Sequence, residues 1–121
     1  MTSTGKAIVA AVIGTGSADA VLRIALAEAD RRGLPVTVLG VGAATPADEA
    51  ALDDQVRRWS EKYPAVPVTL SNRRLLDAAV TLVAASRTAE MVVADPSGGP
   101  VAAAVIRAAG RRVTCSLSLA G

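Results

Sequence analysis

A chain of 121 residues, 51% of them apolar, is long enough to form one domain, 1–121, that buries roughly two-thirds of the surface its unfolded form exposes. Thirteen basic against eleven acidic residues and no histidine leave a net charge of +2 and no group that titrates near neutrality by default. One cysteine, Cys115, excludes an internal disulfide and any cysteine-based metal cluster, and with no histidine either a zinc site is not expected.

The arginine doublets Arg31-Arg32, Arg57-Arg58, Arg73-Arg74 and Arg111-Arg112 are spread along the sequence. They read as solvated helix ends rather than a nucleic-acid surface, which would also need stacking aromatics. Only one Trp and one Tyr are present, so the core must be built from Ala, Val, Leu and Ile. No signal peptide and no run long enough to span a membrane is visible, and a soluble, cytoplasmic protein is expected.

In chain order, Lys6-Ala7-Ile8-Val9-Ala10-Ala11-Val12-Ile13 opens as an apolar run. A strand apolar on both faces belongs at the centre of a parallel sheet. Gly14-Thr15-Gly16-Ser17 follows as a glycine-flanked turn, with Ser17 as a helix N-cap and Asp19 in the positive first turn. Ala18, Leu22, Ala25, Leu26 and Ala29 recur at helical spacing, and Arg31-Arg32-Gly33 closes that helix. Val36 to Val41 is a second strand, with Gly40 and Gly42 near its far end.

Thr45-Pro46 reads as N-cap and first helical position, with Asp48 placed as a capping-box acid. Leu52, Val56, Trp59 and Tyr63 then form one apolar face, on which the two aromatics pack against the sheet. Val66-Pro67-Val68-Thr69-Leu70 is a short edge strand, because Pro67 donates no ladder hydrogen bond. Ser71 or Asn72 caps a third helix, whose Leu75, Leu76, Ala79, Val80 and Val83 make a wide apolar face. Met91-Val92-Val93-Ala94 is the second central strand, ending at Asp95. Pro96-Ser97-Gly98-Gly99-Pro100 turns into a short helix carrying Val105 and Ile106. Val113, Cys115, Leu117 and Leu119 finally alternate with Thr114, Ser116 and Ser118, a strand with one buried face at the other edge or against a second subunit.

The pattern βαβαβαβαβ with short connections predicts an α/β three-layer sandwich around a five-stranded parallel sheet in the order 3-2-1-4-5. The chain then reverses direction between strands one and four, and a ligand crevice opens where their exits meet. The turn Gly14 to Ser17, Val41 at the neighbouring strand end, Asp95 and the turn Ser97-Gly98-Gly99 would line it. Backbone amides at two helix starts there attract anions. Asp95 either binds a ribose hydroxyl or a cation, or caps the following turn.

The chemistry available is limited. Gly14-Thr15-Gly16-Ser17-Ala18-Asp19 begins like a dinucleotide fingerprint but has Asp19 where the last glycine belongs, and no acid ends the second strand. No Gly-Lys-Ser/Thr follows either turn. Ser17, Ser97 and Cys115 have no histidine to activate them, so no catalytic residues are assigned and an enzyme is not expected.

Ala7 to Ser17, the helix to Gly33 with Leu34 to Val41, Ala85 to Asp95, and Val113 to Leu119 together resemble universal stress protein domains. The resemblance spans nearly the whole chain and rests on pattern and order. It implies a Rossmann-like, adenine nucleotide alpha hydrolase-like fold and dimers formed through the fifth strand. It also implies, for the family's nucleotide-binding branch, ATP held between strands one and four. That branch ends its first strand with Asp where this chain has Ile13. Its phosphate loop continues to a later Gly with Ser or Thr, of which only Ser97-Gly98-Gly99 remains. The resulting expectation is a divergent, non-enzymatic regulatory or stress-response module, homodimeric through Val113–Leu119 or bound to another protein, without the standard ATP site. No metal and no cofactor is expected, with ATP or another adenine nucleotide at Ile13, Gly14 to Ser17, Val41, Asp95 and Ser97 to Gly99 as the alternative.

Overall fold

The computed structural model describes residues 6–13, 18–41, 45–73, 78–95, 100–110 and 116–119. Five strands, β1 (Ala7–Ile13), β2 (Val36–Val41), β3 (Val68–Arg73), β4 (Ala89–Ala94) and β5 (Ser116–Leu119), form one parallel sheet in the order β3-β2-β1-β4-β5. Four helices connect them: α1 (Ala18–Arg32), α2 (Pro46–Lys62), α3 (Ala78–Ser86) and α4 (Pro100–Gly110). The predicted architecture and strand order are those observed.

Period-two alternation along β1 explains why that strand is apolar throughout. Ile8, Ala10 and Val12 project into a layer formed with α1 and α2, whereas Val9, Ala11 and Ile13 project into a second layer with α3 and α4. β4 divides in the same way, Met91 and Val93 to the first layer and Val92 and Ala94 to the second. The two strands lie side by side, with Ile8 opposite Met91 and Ala11 opposite Ala94. Both are buried on two faces, as central parallel strands must be.

The first layer is set by α1. Ala18, Val21, Leu22, Ala25, Leu26 and Ala29 are its buried stripe, and Leu22 is fully buried. The helix stops at Gly33, whose φ of 69° is left-handed and free of Cβ strain only for glycine. Leu34 N–H then donates to the Ala29 carbonyl at 3.0 Å, the six-to-one bond of a Schellman stop, and Leu34 packs on the core. On the outer surface Arg31 and Arg32 both reach Glu28, which sits below its ordinary carboxyl range chiefly through the Arg31 hydrogen bond.

At the start of α2, extended Thr45 accepts the Asp48 N–H on its Oγ1 at 3.1 Å, with Pro46 at the first helical position. Leu52 and Val56 are buried, and Trp59 and Tyr63 pack partly buried against the same cluster. By contrast Pro46, Ala47, Glu49, Ala50 and Ala51 are exposed, so the first turns of α2 stand clear of the core.

Four readings of the sequence are corrected. The third strand runs over Val68–Arg73 rather than Val66–Leu70, with Val66 buried in the preceding bend and the Pro67 carbonyl accepting from Val36 N–H at 2.9 Å. Its ladder matches β2 along all six pairs to Val41 opposite Arg73, so Ser71 and Asn72 are strand residues and not helix caps. Val80 is 59% exposed, because α3 turns Leu82, Val83 and Ser86 inward instead. Leu119 is 55% exposed although the alternation placed it on a buried face. Its register opposite Ala94 directs it to the α3/α4 side at the open edge, where no further strand lies among the described residues.

Val113 to Cys115 and the helix-face positions Leu75 and Leu76 lie outside the described residues. No helix among the described residues is long and apolar enough to cross a membrane.

Candidate functional site

Strand order places the topological switch between β1 and β4, because β2 and β3 follow on one side of β1 while β4 and β5 lie on the other. The carboxyl ends of β1, β2 and β4 therefore form the predicted edge, marked by Ile13, Val41 and Asp95. Ile13 pairs in register with Val41, and both side chains are buried in the α3/α4 layer. At the end of β1 the Ile13 side chain thus packs into the layer below and itself carries no polar atom. Asp95, one residue past β4, is 6% exposed.

The remaining predicted site residues, Gly14, Thr15, Gly16, Ser17, Ser97, Gly98 and Gly99, lie outside the described residues. The structure brings together Ile13, Val41 and the Asp95 position at one sheet edge. Among the described residues no group of three or more His, Cys, Asp and Glu side chains is placed to hold a metal ion.

A second polar constellation had no forecast in the sequence. Trp59 Nε1–H donates to Asp19 Oδ1 at 3.0 Å, joining residues 40 positions apart. The bond ties the first turn of α1 to the last turns of α2. Lys62 Nζ stands 4.4 Å from the Trp59 ring centroid, within cation–π range. Gln55 and Arg58 complete the walls of an open groove of about 310 Å³ with Asp19, Trp59 and Lys62. The only available signal was that the single tryptophan occupies a helix face near its end, where an indole has an apolar body to bury and one N–H to satisfy.

The geometry has close counterparts among solved structures. A universal stress protein from Archaeoglobus fulgidus in complex with dAMP aligns with 98% of this chain and 100% of its own at a TM-score of 0.66 and 19% identity. The universal stress protein UspA from Lactobacillus plantarum aligns over 99% and 100% at a TM-score of 0.70 and 13% identity. A universal stress protein in complex with cAMP aligns over 98% of each chain at 0.66 and 16%. This is the universal stress protein fold. The match runs nearly end to end in both directions. At these identities the likeness is one of backbone architecture. No protein-family model and no curated protein matches the sequence.

Proposed function

We propose that this chain is a divergent universal-stress-like domain that works as a non-enzymatic, cytoplasmic stress-response or regulatory module, dimeric through its fifth strand and without the standard ATP site. The observation that carries the reading is Ile13. It ends β1 on a universal stress protein fold, at the position where the family's nucleotide-binding branch has Asp, and its side chain is committed to the α3/α4 layer. An apolar side chain there offers a nucleotide no hydrogen bond. The dimer is supported by β5, which among the described residues pairs with β4 alone and carries the exposed Leu119 beside its open edge. Two antiparallel copies of such an edge would satisfy the backbone groups left over.

The second reading is an adenine-nucleotide domain using the Gly14–Ser17 and Ser97–Gly99 turns. It is favoured by the dAMP and cAMP complexes of proteins sharing the fold. Two measurements separate the readings. Protein purified without added ligand is denatured and its supernatant chromatographed for nucleotide, and sedimentation is run at tens of micromolar. The first reading expects an empty supernatant and a dimer. Stoichiometric adenine nucleotide would transfer support to the second, and a monomer would remove the fifth-strand interface.

A further inference from the structure

We propose that the groove between the first turn of α1 and the last turns of α2 is a binding site for a small planar monoanion, an aromatic carboxylate in chemical class. Among the described residues its lining includes none of those predicted for the switch-point crevice, and it does not depend on the function proposed there. It has three parts. The first is a flat apolar platform. The Trp59 indole is partly buried against the core and fixed in azimuth by its 3.0 Å hydrogen bond to Asp19, so the ring is oriented before any ligand arrives.

The second part is a cation. Arg58 is engaged by Asp54 at 2.7 Å, whereas Lys62 has no carboxylate partner among the described residues. Its ammonium stands over the indole face, 4.4 Å from the centroid, so an anion that pairs with Lys62 is held at the margin of the ring. The third part is Gln55, one turn from Trp59 on the same wall, with an amide able to donate to the second carboxylate oxygen.

The charge of the occupant follows from the surroundings. Asp19 lines the groove wall, and the last turn of α2 turns the negative end of its dipole toward the same place. A single anionic charge is matched by Lys62, while a dianion such as phosphate meets uncompensated repulsion. A volume of about 310 Å³ lies at the small end of ligand pockets and suits a body of one or two fused rings.

The chain has one tryptophan, so the indole Nε1–H gives a single resolved proton–nitrogen resonance that reports this groove alone. Titration of the ¹⁵N-labelled full chain with 2-naphthoate is expected to shift that resonance saturably, with Kd on the order of 1 mM or tighter. Lys62→Gln, an exposed change, weakens binding about fivefold. The neutral 2-naphthalenemethanol binds more weakly than naphthoate, and inorganic phosphate leaves the indole resonance in place. The proposal is overturned by an indole resonance that does not saturate with naphthoate, by equal binding of the neutral alcohol, by unchanged affinity in Lys62→Gln, or by phosphate competing as well as naphthoate.

Discussion

The two-layer packing makes a sharp distinction between leucine and valine positions that hydropathy alone treats alike, and Leu22→Ala set against Val80→Ala exposes it. Leu22 is 0% exposed, lies on the inner stripe of α1 and belongs to the cluster that joins α1 and α2 to β1, β2 and β4. Truncation there removes the transfer free energy of the lost atoms and leaves a cavity, at a cost of about 3 kcal/mol within the usual range for Leu→Ala in a close-packed core. A chain of this length has a total stability on the order of 6–18 kcal/mol, and its unfolding entropy makes each kcal/mol worth about 4 °C. The expected loss is therefore about 12 °C in Tm. Val80, 59% exposed on α3, has no comparable environment to lose. Val80→Ala is expected within about 0.5 kcal/mol of the parent, with the better helix propensity of alanine offsetting any lost contact. Differential scanning calorimetry on the three proteins decides the matter. A Leu22→Ala midpoint within about 2 °C of the parent would refute the packing argument, as would a Val80→Ala loss of equal size.

Three further perturbations test local devices. Gly33→Ala places a Cβ where nothing lies within 4 Å, so its whole effect is the left-handed φ of 69°, expected to lower stability by about 1 kcal/mol in urea unfolding; no change would mean that α1 does not stop there. Thr45→Ala removes the acceptor for Asp48 N–H and should lose about 1 kcal/mol, whereas Thr45→Ser or Thr45→Asp should retain most of the parent stability. Glu28 titrates below its ordinary value of 4.5 because Arg31 and Arg32 favour its charged form. Its stabilising contribution is therefore complete above that ordinary value and disappears as pH falls through the lower, folded-state pKa. The Tm difference between parent and Glu28→Gln should accordingly shrink between pH 6 and pH 3 and shrink also in high salt, and a difference independent of pH would contradict the assignment.

The central strands were legible because burial on both faces leaves only one kind of sequence, an unbroken apolar run such as Ile8 to Ile13 or Met91 to Ala94. Caps were equally plain at Thr45-Pro46 and Gly33, where one backbone conformation demands particular residues. The edge was not. At β3 the extent of the strand is decided by the backbone groups of β2, which must be paired to Val41, and polar Ser71 and Asn72 do that as well as any apolar residue. α3 hid its orientation for the opposite reason. Its sequence Ala-Ala-Val-Thr-Leu-Val-Ala-Ala-Ser is apolar around most of its circumference, so no period marks the inward side. At the candidate site, the strand order carried Ile13, Val41 and Asp95 to one edge as expected from the pattern of crossovers. The Asp19–Trp59 bond spans 40 residues and depends on how α1 and α2 are staggered, a quantity that neither helix encodes by itself.

The central question is whether the carboxyl edge of β1 and β4 lacks the standard nucleotide site. Titration of ¹⁵N-labelled protein with ATP, following the backbone amides of Ile13, Val41 and Asp95, tests this most directly. With the standard site absent, these three resonances show no saturable movement at millimolar ATP. A saturable shift of all three with a micromolar Kd would contradict it.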